Sequence, residues 1–205
     1  MLASHQNLKI SAMKTVAING TVRPDLGKKG AADVRRQGLI PCVLYGGKEV
    51  IHFSTTLADL RGLVYTPDFK TAEVAVDGKK YTAILKDVQF NPVTDTIVHA
   101  DFLRLVEGHS IKVELPLRFT GVSPGVKGGG KLIQQLRRVL VKTKPETLVD
   151  ELLVDISNLD MGQSLRIRDI QVLEGVEILM SPSVPVAMIE IPRALRGATA
   201  TDKPA

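Results

Sequence analysis

Tryptophan is absent from this chain of 205 residues, aromatic residues make up only 4% of it, and it has a single cysteine. One cysteine excludes an internal disulfide, and Cys42 in the apolar run LIPCVLY is expected to be a small buried side chain. No apolar run approaches the about 20 residues needed to cross a bilayer, so no membrane association is predicted. With so few aromatics, the core must be built from Val, Ile and Leu, and the β-branched members of this set favour a β-rich protein.

The length and the hydrophobic content of 44% are sufficient for two small cores of about 100 residues each. We therefore predict a mainly β protein with a small N-terminal β-barrel domain that carries short helices, residues 13–106, followed by a C-terminal β-rich domain, residues 107–192. Residues 1–12 are expected to form a disordered leader, and the small polar residues 193–205 a disordered tail.

Alternating apolar residues and turn residues predict the individual elements. Asp77 and Gly78 stand between two alternating segments and predict a tight hairpin, since Gly tolerates the positive φ that such a turn needs. Helices are expected over residues 31–37 and 56–64. The predicted strands are 15–23, 40–45, 49–54, 72–77, 80–90 and 96–105 in the first domain, and 110–119, 137–143, 151–156, 164–172, 176–180 and 185–191 in the second.

The positive charge of the chain is concentrated near the amino end. Residues 14–48 contain seven Lys and Arg against two acids, a local balance of +5 that equals the net charge of the whole chain. Guanidinium groups can bind two phosphate oxygens at once, and lysine ammonium groups act beside them as mobile charges, so this segment predicts binding to a polyanion. A solvated charged surface is the alternative. The candidate cations are Arg23, Lys28, Lys29, Arg35 and Arg36.

The segment TIVHADFLRL places His99 and Asp101 on one face of a predicted strand, away from Val98 and Ala100. An imidazole can donate to phosphate or ribose, and a carboxylate can accept from a ribose 2′-hydroxyl or a guanine amino group; the wide minor groove of RNA offers these contacts. Local pairing of the two side chains and catalysis with Cys42 or a serine as nucleophile are competing interpretations. Because no nucleophile elbow or metal-ligand spacing is present, we predict no catalytic residue, metal or cofactor.

The segment GVKGGGKL satisfies the first seven positions of the phosphate-loop pattern, but Leu132 stands where a Ser or Thr hydroxyl would bind magnesium. A glycine-rich crossing loop with a basic rim is the preferred interpretation, and the protein is not expected to be an enzyme. Residues 145–191 contain nine acids against two bases, a balance of −7. Phosphate should repel such a surface, so this part of the chain is expected to face protein or solvent.

Several segments together resemble one family: NGTVRPDLGKKGAADVRRQGLIPCVLYGG, KDVQFNP, VHADFLRL and GVKGGGKL, followed by VDISNL and an S-L-x-I-x-D-I pattern. In this order, over about residues 14–192, the chain resembles the bacterial large-subunit ribosomal protein numbered twenty-five in its long general-stress (Ctc) form. The resemblance implies an N-terminal β-barrel that binds 5S ribosomal RNA (5S rRNA) and a C-terminal β-rich domain. It also implies neighbouring large-subunit proteins as partners, a cytoplasmic location in the ribosome, and no small-molecule substrate.

The resemblance further implies which residues grip the RNA from its minor-groove side. The family's contacts, together with neighbouring cations of the same segment, give the candidate set Arg23, Lys28, Lys29, Arg35, Arg36, Tyr45, Gln89, His99 and Asp101. Tyr45 would pack and hydrogen-bond at a ribose edge, while His99 and Asp101 would contact ribose and base edges. Many relatives have further arginines where this chain has Ala32 and Asp33, so its short helix carries fewer cations.

One function from a different class stays open at this point. The acidic C-terminal domain is also compatible with a stress-associated adaptor that recruits a protein partner, with RNA binding incidental to that role.

Overall fold

The computed structural model describes residues 13–47, 49–172 and 175–192. The predicted leader and tail, and Lys48 of the basic segment, lie outside the described residues. Strands predominate over helices throughout the described part of the chain, and the predicted fold class is confirmed.

Two compact units divide the chain. The first extends to Ile111 and also includes Lys144–Asp150. The second comprises Lys112–Thr143 and the residues from Glu151 onward. Each sheet is built from strands of one unit, and many of the paired strands are distant in sequence.

The first unit is a closed six-stranded barrel with two short helices. Its elements are β1 (Thr15–Val22), α1 (Gly27–Arg36), β2 (Ile40–Tyr45), β3 (Ile51–Thr55), α2 (Leu57–Val64), β4 (Thr71–Val76), β5 (Lys79–Phe90) and β6 (Ile97–Arg104). The strand order is β1-β3-β2-β6-β5-β4, and β1 closes the barrel by pairing with β4 in parallel. β6 lies between β2, its parallel neighbour, and β5, its antiparallel neighbour. Closure satisfies the backbone groups that an open sheet edge would expose.

Alternating side chains of these strands fill the barrel interior. Phe53 of β3 and Phe102 of β6 are fully buried, with ring centroids 5.8 Å apart and ring planes tilted by 43°. Burying a side chain of this size contributes about 1.5–3 kcal/mol to the free energy of unfolding. Cys42 lies in the same core, which confirms the expectation of a small buried side chain. Burial raises the pKa of its thiol to about 12, so the thiol stays protonated and unreactive near neutral pH.

The turn between β4 and β5 has the geometry expected from its sequence. Asp77 has a φ of 49° and Gly78 a φ of 76°, and the two residues connect the paired ends of the strands, Val76 and Lys79. Positive φ at both central residues is the requirement of the tightest two-residue hairpins, because only that twist matches the flanking strands. The predicted hairpin is therefore confirmed.

The second unit contains two sheets. Its elements are β7 (Ile111–Thr120), α3 (Pro124–Lys127), β8 (Lys131–Gln134), β9 (Arg138–Thr143), β10 (Leu152–Asp155), β11 (Ser164–Arg166), β12 (Val176–Ile178) and β13 (Pro185–Glu190). The first sheet has the order β10-β7-β9-β12, and the second has the order β11-β13-β8. Val, Ile and Leu side chains such as Leu115, Val139, Val154 and Ile189 are buried in this unit.

The glycine-rich segment is more structured than the predicted loop. The Ser123 hydroxyl accepts a hydrogen bond from the Val126 amide (3.3 Å) and begins α3, and β8 follows after a short turn. A Cβ at Gly125 would lie 2.6 Å from the amide nitrogen of Met161, which is too close for any side chain. Close packing therefore accounts for this glycine, and no phosphate is needed to explain it.

The expected long strand at 164–172 is also corrected. β11 ends at Arg166, and a single 3₁₀ turn, Ile167–Asp169, follows it. The carboxylate of Asp169 accepts a hydrogen bond from the Arg166 amide (2.9 Å), which stabilises the start of the turn. Leu165 and Ile167 are both buried, so the alternation of apolar residues is the same whether the segment continues as a strand or turns.

Candidate nucleic-acid interface

Polar side chains gather on the outside of the barrel where β2, β6 and β5 lie side by side. Because Cys42, Leu44, Ala100 and Phe102 point into the core, the residues between them point outward. We define the outer wall as the outward residues of these three strands: Val43, Tyr45, Asp87, Gln89, His99, Asp101 and Leu103. Strand register places Asp101 between Val43 and Asp87, and places Gln89 directly opposite His99.

His99 and Asp101 form the centre of the outer wall. The His99 Nδ1 and Asp101 Oδ1 atoms lie 2.6 Å apart, and the side chains are 24% and 33% exposed. The local pairing that the sequence left open is thus present. When Nδ1 carries the hydrogen, it donates to the carboxylate, which orients the ring and leaves Nε2 for a ligand. The second carboxylate oxygen of Asp101 can still accept a further hydrogen bond.

Tyr45 brings a hydroxyl group close to this pair. It ends β2 and is paired in register with Leu103 of β6. Burial raises the pKa of the Tyr45 hydroxyl above its usual value, and the charges of Asp101 and Asp87 raise it further. The phenol is therefore protonated at neutral pH and provides a hydrogen-bond donor beside two acceptors.

Arg35 is attached to the outer wall from α1. Its Nε donates a hydrogen bond of 3.0 Å to the carbonyl oxygen of Val98, the residue before His99. This contact joins two positions that are 63 residues apart in sequence. Since the bond uses Nε, the two terminal nitrogens of the guanidinium remain in a geometry suited to a phosphate group.

Arg23 lies at the end of β1, next to β3. Its amide donates to the carbonyl of His52 (3.0 Å), and its Nη2 donates to the carbonyl of Asp25 (3.3 Å). Its Nε is buried without a hydrogen-bond partner among the described residues. The ladder places Arg23 near the outer wall, because its bonding partner His52 lies opposite Val43, and Val43 lies opposite Asp101.

The remaining candidate cations lie on α1. Lys28 and Lys29 are exposed in its first turn, which contains no acid, and the preceding Leu26 provides no side-chain cap. The helix therefore begins with unsatisfied amides beside two ammonium groups, an arrangement that attracts anions. Arg36 donates to the Asp33 carboxylate (2.8 Å), and both side chains are exposed. No bond within the described residues ties Lys28, Lys29 or Arg36 to the outer wall.

Two polar residues near this interface were not among the candidate residues predicted from the sequence. Asp87 lies opposite Asp101 in the ladder, and His52 lies opposite Val43 on β3. A register shift between Leu85 and Asp87 breaks the alternation of β5, so the direction of Asp87 could not be predicted from the spacing. Like charges opposite each other in a ladder are unfavourable, and Asp87 Oδ1 accepts a hydrogen bond of 2.9 Å from the amide of Val88.

Part of the acidic run over residues 145–191 is paired with cations from earlier in the chain. Two of its carboxylates lie beside cations from residues 112–143, the earlier part of the second unit. Arg118 Nε lies 2.6 Å from the carboxylate of Glu151, and Lys142 Nζ lies 3.4 Å from that of Glu177. These two ion pairs offset part of the net charge of −7 over residues 145–191.

Two further features are absent from residues 13–47, 49–172 and 175–192. This part of the chain contains no group of three or more His, Cys, Asp and Glu side chains that could hold a metal ion. It also contains no helix that is long and apolar enough to span a membrane.

Comparisons with known proteins agree with this architecture. The model of the ribosomal L25p family matches residues 18–102, and that of the C-terminal domain of ribosomal protein TL5 matches residues 110–193. Similar proteins named large ribosomal subunit protein bL25 occur in Phocaeicola vulgatus and Amoebophilus asiaticus. The first is 40% identical over 196 residues, which cover 92% of this chain and 98% of that protein. The second is 42% identical over 188 residues, covering 92% and 95%.

Proposed function

We propose that this protein, which belongs to the ribosomal L25p family, binds 5S rRNA through the outer wall and α1. The chain is a structural component of the large ribosomal subunit and not an enzyme. Members of this family work in the cytoplasmic ribosome. The observation that carries the proposal is the His99–Asp101 pair, 2.6 Å apart and only partly exposed on a wall of hydrogen-bonding groups.

The chemistry of the outer wall suits the minor groove of an RNA helix. There a ligand presents 2′-hydroxyl groups, which both donate and accept, and the amino group of guanine, which donates. Asp101 accepts, Tyr45 donates, and Gln89 does both. The imidazole of His99 is oriented by Asp101 before the RNA arrives, so little side-chain entropy is lost on binding.

The cations of α1 have a different role in this proposal. Phosphate contacts set the position and the affinity of a protein on RNA but carry no sequence information. Arg35, held against the carbonyl of Val98, would place one guanidinium at the edge of the outer wall. Lys28 and Lys29 would meet a neighbouring phosphate at the beginning of the helix, and Arg23 would do so from the end of β1.

A salt titration tests the proposal directly. If about four of these cations neutralise phosphates, the affinity for 5S rRNA should fall with salt at a log-log slope of about −3 to −4, using about 0.7 to 0.9 per contact. Arg35→Ala should make the slope shallower by about 1. Lys127→Ala, which removes an exposed cation of the second unit, is the matched control and should leave the slope unchanged. A flat response of the unmodified protein would contradict the proposal.

Asp33→Ala should strengthen RNA binding. The Asp33 carboxylate pairs with Arg36 across an exposed helix surface, with side chains 59% and 79% exposed, so the pair contributes little to stability. Its removal releases Arg36 for phosphate and removes a like charge, and we expect about two- to fivefold tighter binding at low salt. Asp160→Ala changes the net charge equally in the second unit and serves as control. Equal effects of the two substitutions would show that only the overall charge matters.

The adaptor function receives less support. It depends on the acidic residues of the second unit, and two of these, Glu151 and Glu177, already pair with Arg118 and Lys142 and so offer less negative charge to a partner.

A further inference from the structure

The loop between β5 and β6 forms an apolar projection at one end of the barrel. We define the hairpin tip as residues 90–96. Within it, the side chain of Val93 is 87% exposed and that of Phe90 is 45% exposed, and Pro92 between them is exposed as well. Val93 has the largest exposed fraction of the large apolar side chains described in this structure. Single exposed apolar residues are common, but three within four positions of one turn form a patch.

The hairpin tip is held in one conformation by its own hydrogen bonds. The side-chain oxygen of Asn91 accepts from the amides of Val93 (2.9 Å) and Thr94 (3.4 Å), and the Asn91 amide donates to the Thr96 carbonyl (2.8 Å). The Thr94 and Thr96 hydroxyls lie 2.8 Å apart, and Asp95 adopts a φ of 52°. A patch that is already ordered loses little entropy when it docks.

The charge of the hairpin tip argues against a phosphate surface. Residues 90–96 contain Asp95 and no Lys or Arg, in contrast to α1 with its four cations. The phosphate backbone of RNA would repel this carboxylate and would gain little from contact with a valine side chain. A protein pocket with an apolar floor and a cation at its rim matches Val93, Phe90 and Asp95 together.

We propose that the hairpin tip docks into such a pocket on a neighbouring protein of the large ribosomal subunit. The tip continues β5 and β6 directly beyond Gln89 and His99, so it begins where the outer wall ends. A barrel seated on RNA by that wall therefore presents the tip to whatever lies beside the RNA. The inference rests on family membership and on the proposed seating of the outer wall on RNA, but not on that RNA being 5S rRNA.

A competition experiment tests this docking. Unmodified protein and Val93→Ser are mixed in equal amounts and added to large subunits from which the protein has been removed, and the ratio incorporated is measured by mass spectrometry. We expect the variant to be under-represented by about tenfold, as for a buried interface residue. Val122→Ser removes an exposed valine, 61% exposed, in the second unit and should compete equally with the unmodified protein. Equal incorporation of Val93→Ser would overturn the proposal.

A second measurement separates protein from RNA as the occupant. The affinity of Val93→Ser for isolated 5S rRNA should stay within about twofold of the unmodified value, and a photocrosslinking residue at position 93 should form adducts with protein in assembled subunits. A parallel loss of RNA affinity, or adducts with RNA alone, would assign the tip to RNA and overturn the inference. If the unmodified protein fails to bind 5S rRNA while the incorporation difference persists, the proposed function fails and the docking stands.

Discussion

Asp101→Ala is expected to lower the affinity for 5S rRNA by about 5- to 150-fold, equivalent to about 1–3 kcal/mol. The comparison RNA is 5S rRNA in which the loop bound by the protein has been mutated, and its affinity should barely change. The substitution removes an acceptor for ribose or guanine and leaves the His99 ring without the partner that orients it. Fluorescence anisotropy with both RNAs at one fixed salt concentration measures the ratio of the two affinities.

Lys28→Ala provides the contrasting result. Lys28 is exposed on the first turn of α1 and would contact only phosphate. Its loss should therefore weaken binding to both RNAs by the same factor and make the log-log slope of affinity against salt shallower by about 1. If Asp101→Ala reduced binding of both RNAs by the same factor, the outer wall would not be reading ribose or base edges.

Phe53→Ala should lower the free energy of unfolding of the first unit by about 3–5 kcal/mol. The ring is fully buried against Phe102, and small domains have only about 5–15 kcal/mol in total. Urea denaturation can be followed through the rate at which Cys42 is labelled, since this buried thiol becomes accessible only when the barrel opens. Phe90→Ala, at a half-exposed phenylalanine, should cost less than about 1 kcal/mol.

The absence of a side chain at Gly20 leaves the space that the Phe53 ring occupies. A Cβ at Gly20 would overlap the Phe53 ring, so Gly20→Ala should also destabilise the barrel. In the double variant Gly20→Ala, Phe53→Leu the added methyl group takes up part of the vacated space. We therefore expect the loss of stability to be smaller than the sum of the two single losses. Additive losses would mean that the two positions do not share this space.

Most of the first unit could be predicted because its strands alternate clearly and its hairpin has a strong turn signal. The start of α1 was different: it was expected at residue 31 and lies at Gly27. Leu26 cannot cap a helix with its side chain, and the glycines at both ends of GKKG favour a loop when the sequence is read locally. The helix forms there because the barrel holds it, through contacts such as the bond from Arg35 to Val98.

The candidate interface could be predicted in part, again because apolar and polar residues alternate along its strands. Alternation along a single strand was enough to place His99 and Asp101 together. Tyr45, Asp87 and Arg35 join them through pairing and hydrogen bonds between distant segments, and local spacing contains no information about those contacts. In the second unit the ion pairs of Glu151 with Arg118 and of Glu177 with Lys142 were hidden for the same reason.

The central position of β6 has a consequence for biosynthesis. β2, made early, remains without its parallel neighbour until residues 97–104 have been translated, because β6 is inserted between β2 and β5. β6 itself contributes both His99 and Asp101. If the proposed function holds, a nascent chain shorter than this exposes its basic helix before it contains the residues proposed to discriminate among RNAs, and selective capture of RNA would begin only after the last barrel strand leaves the exit tunnel.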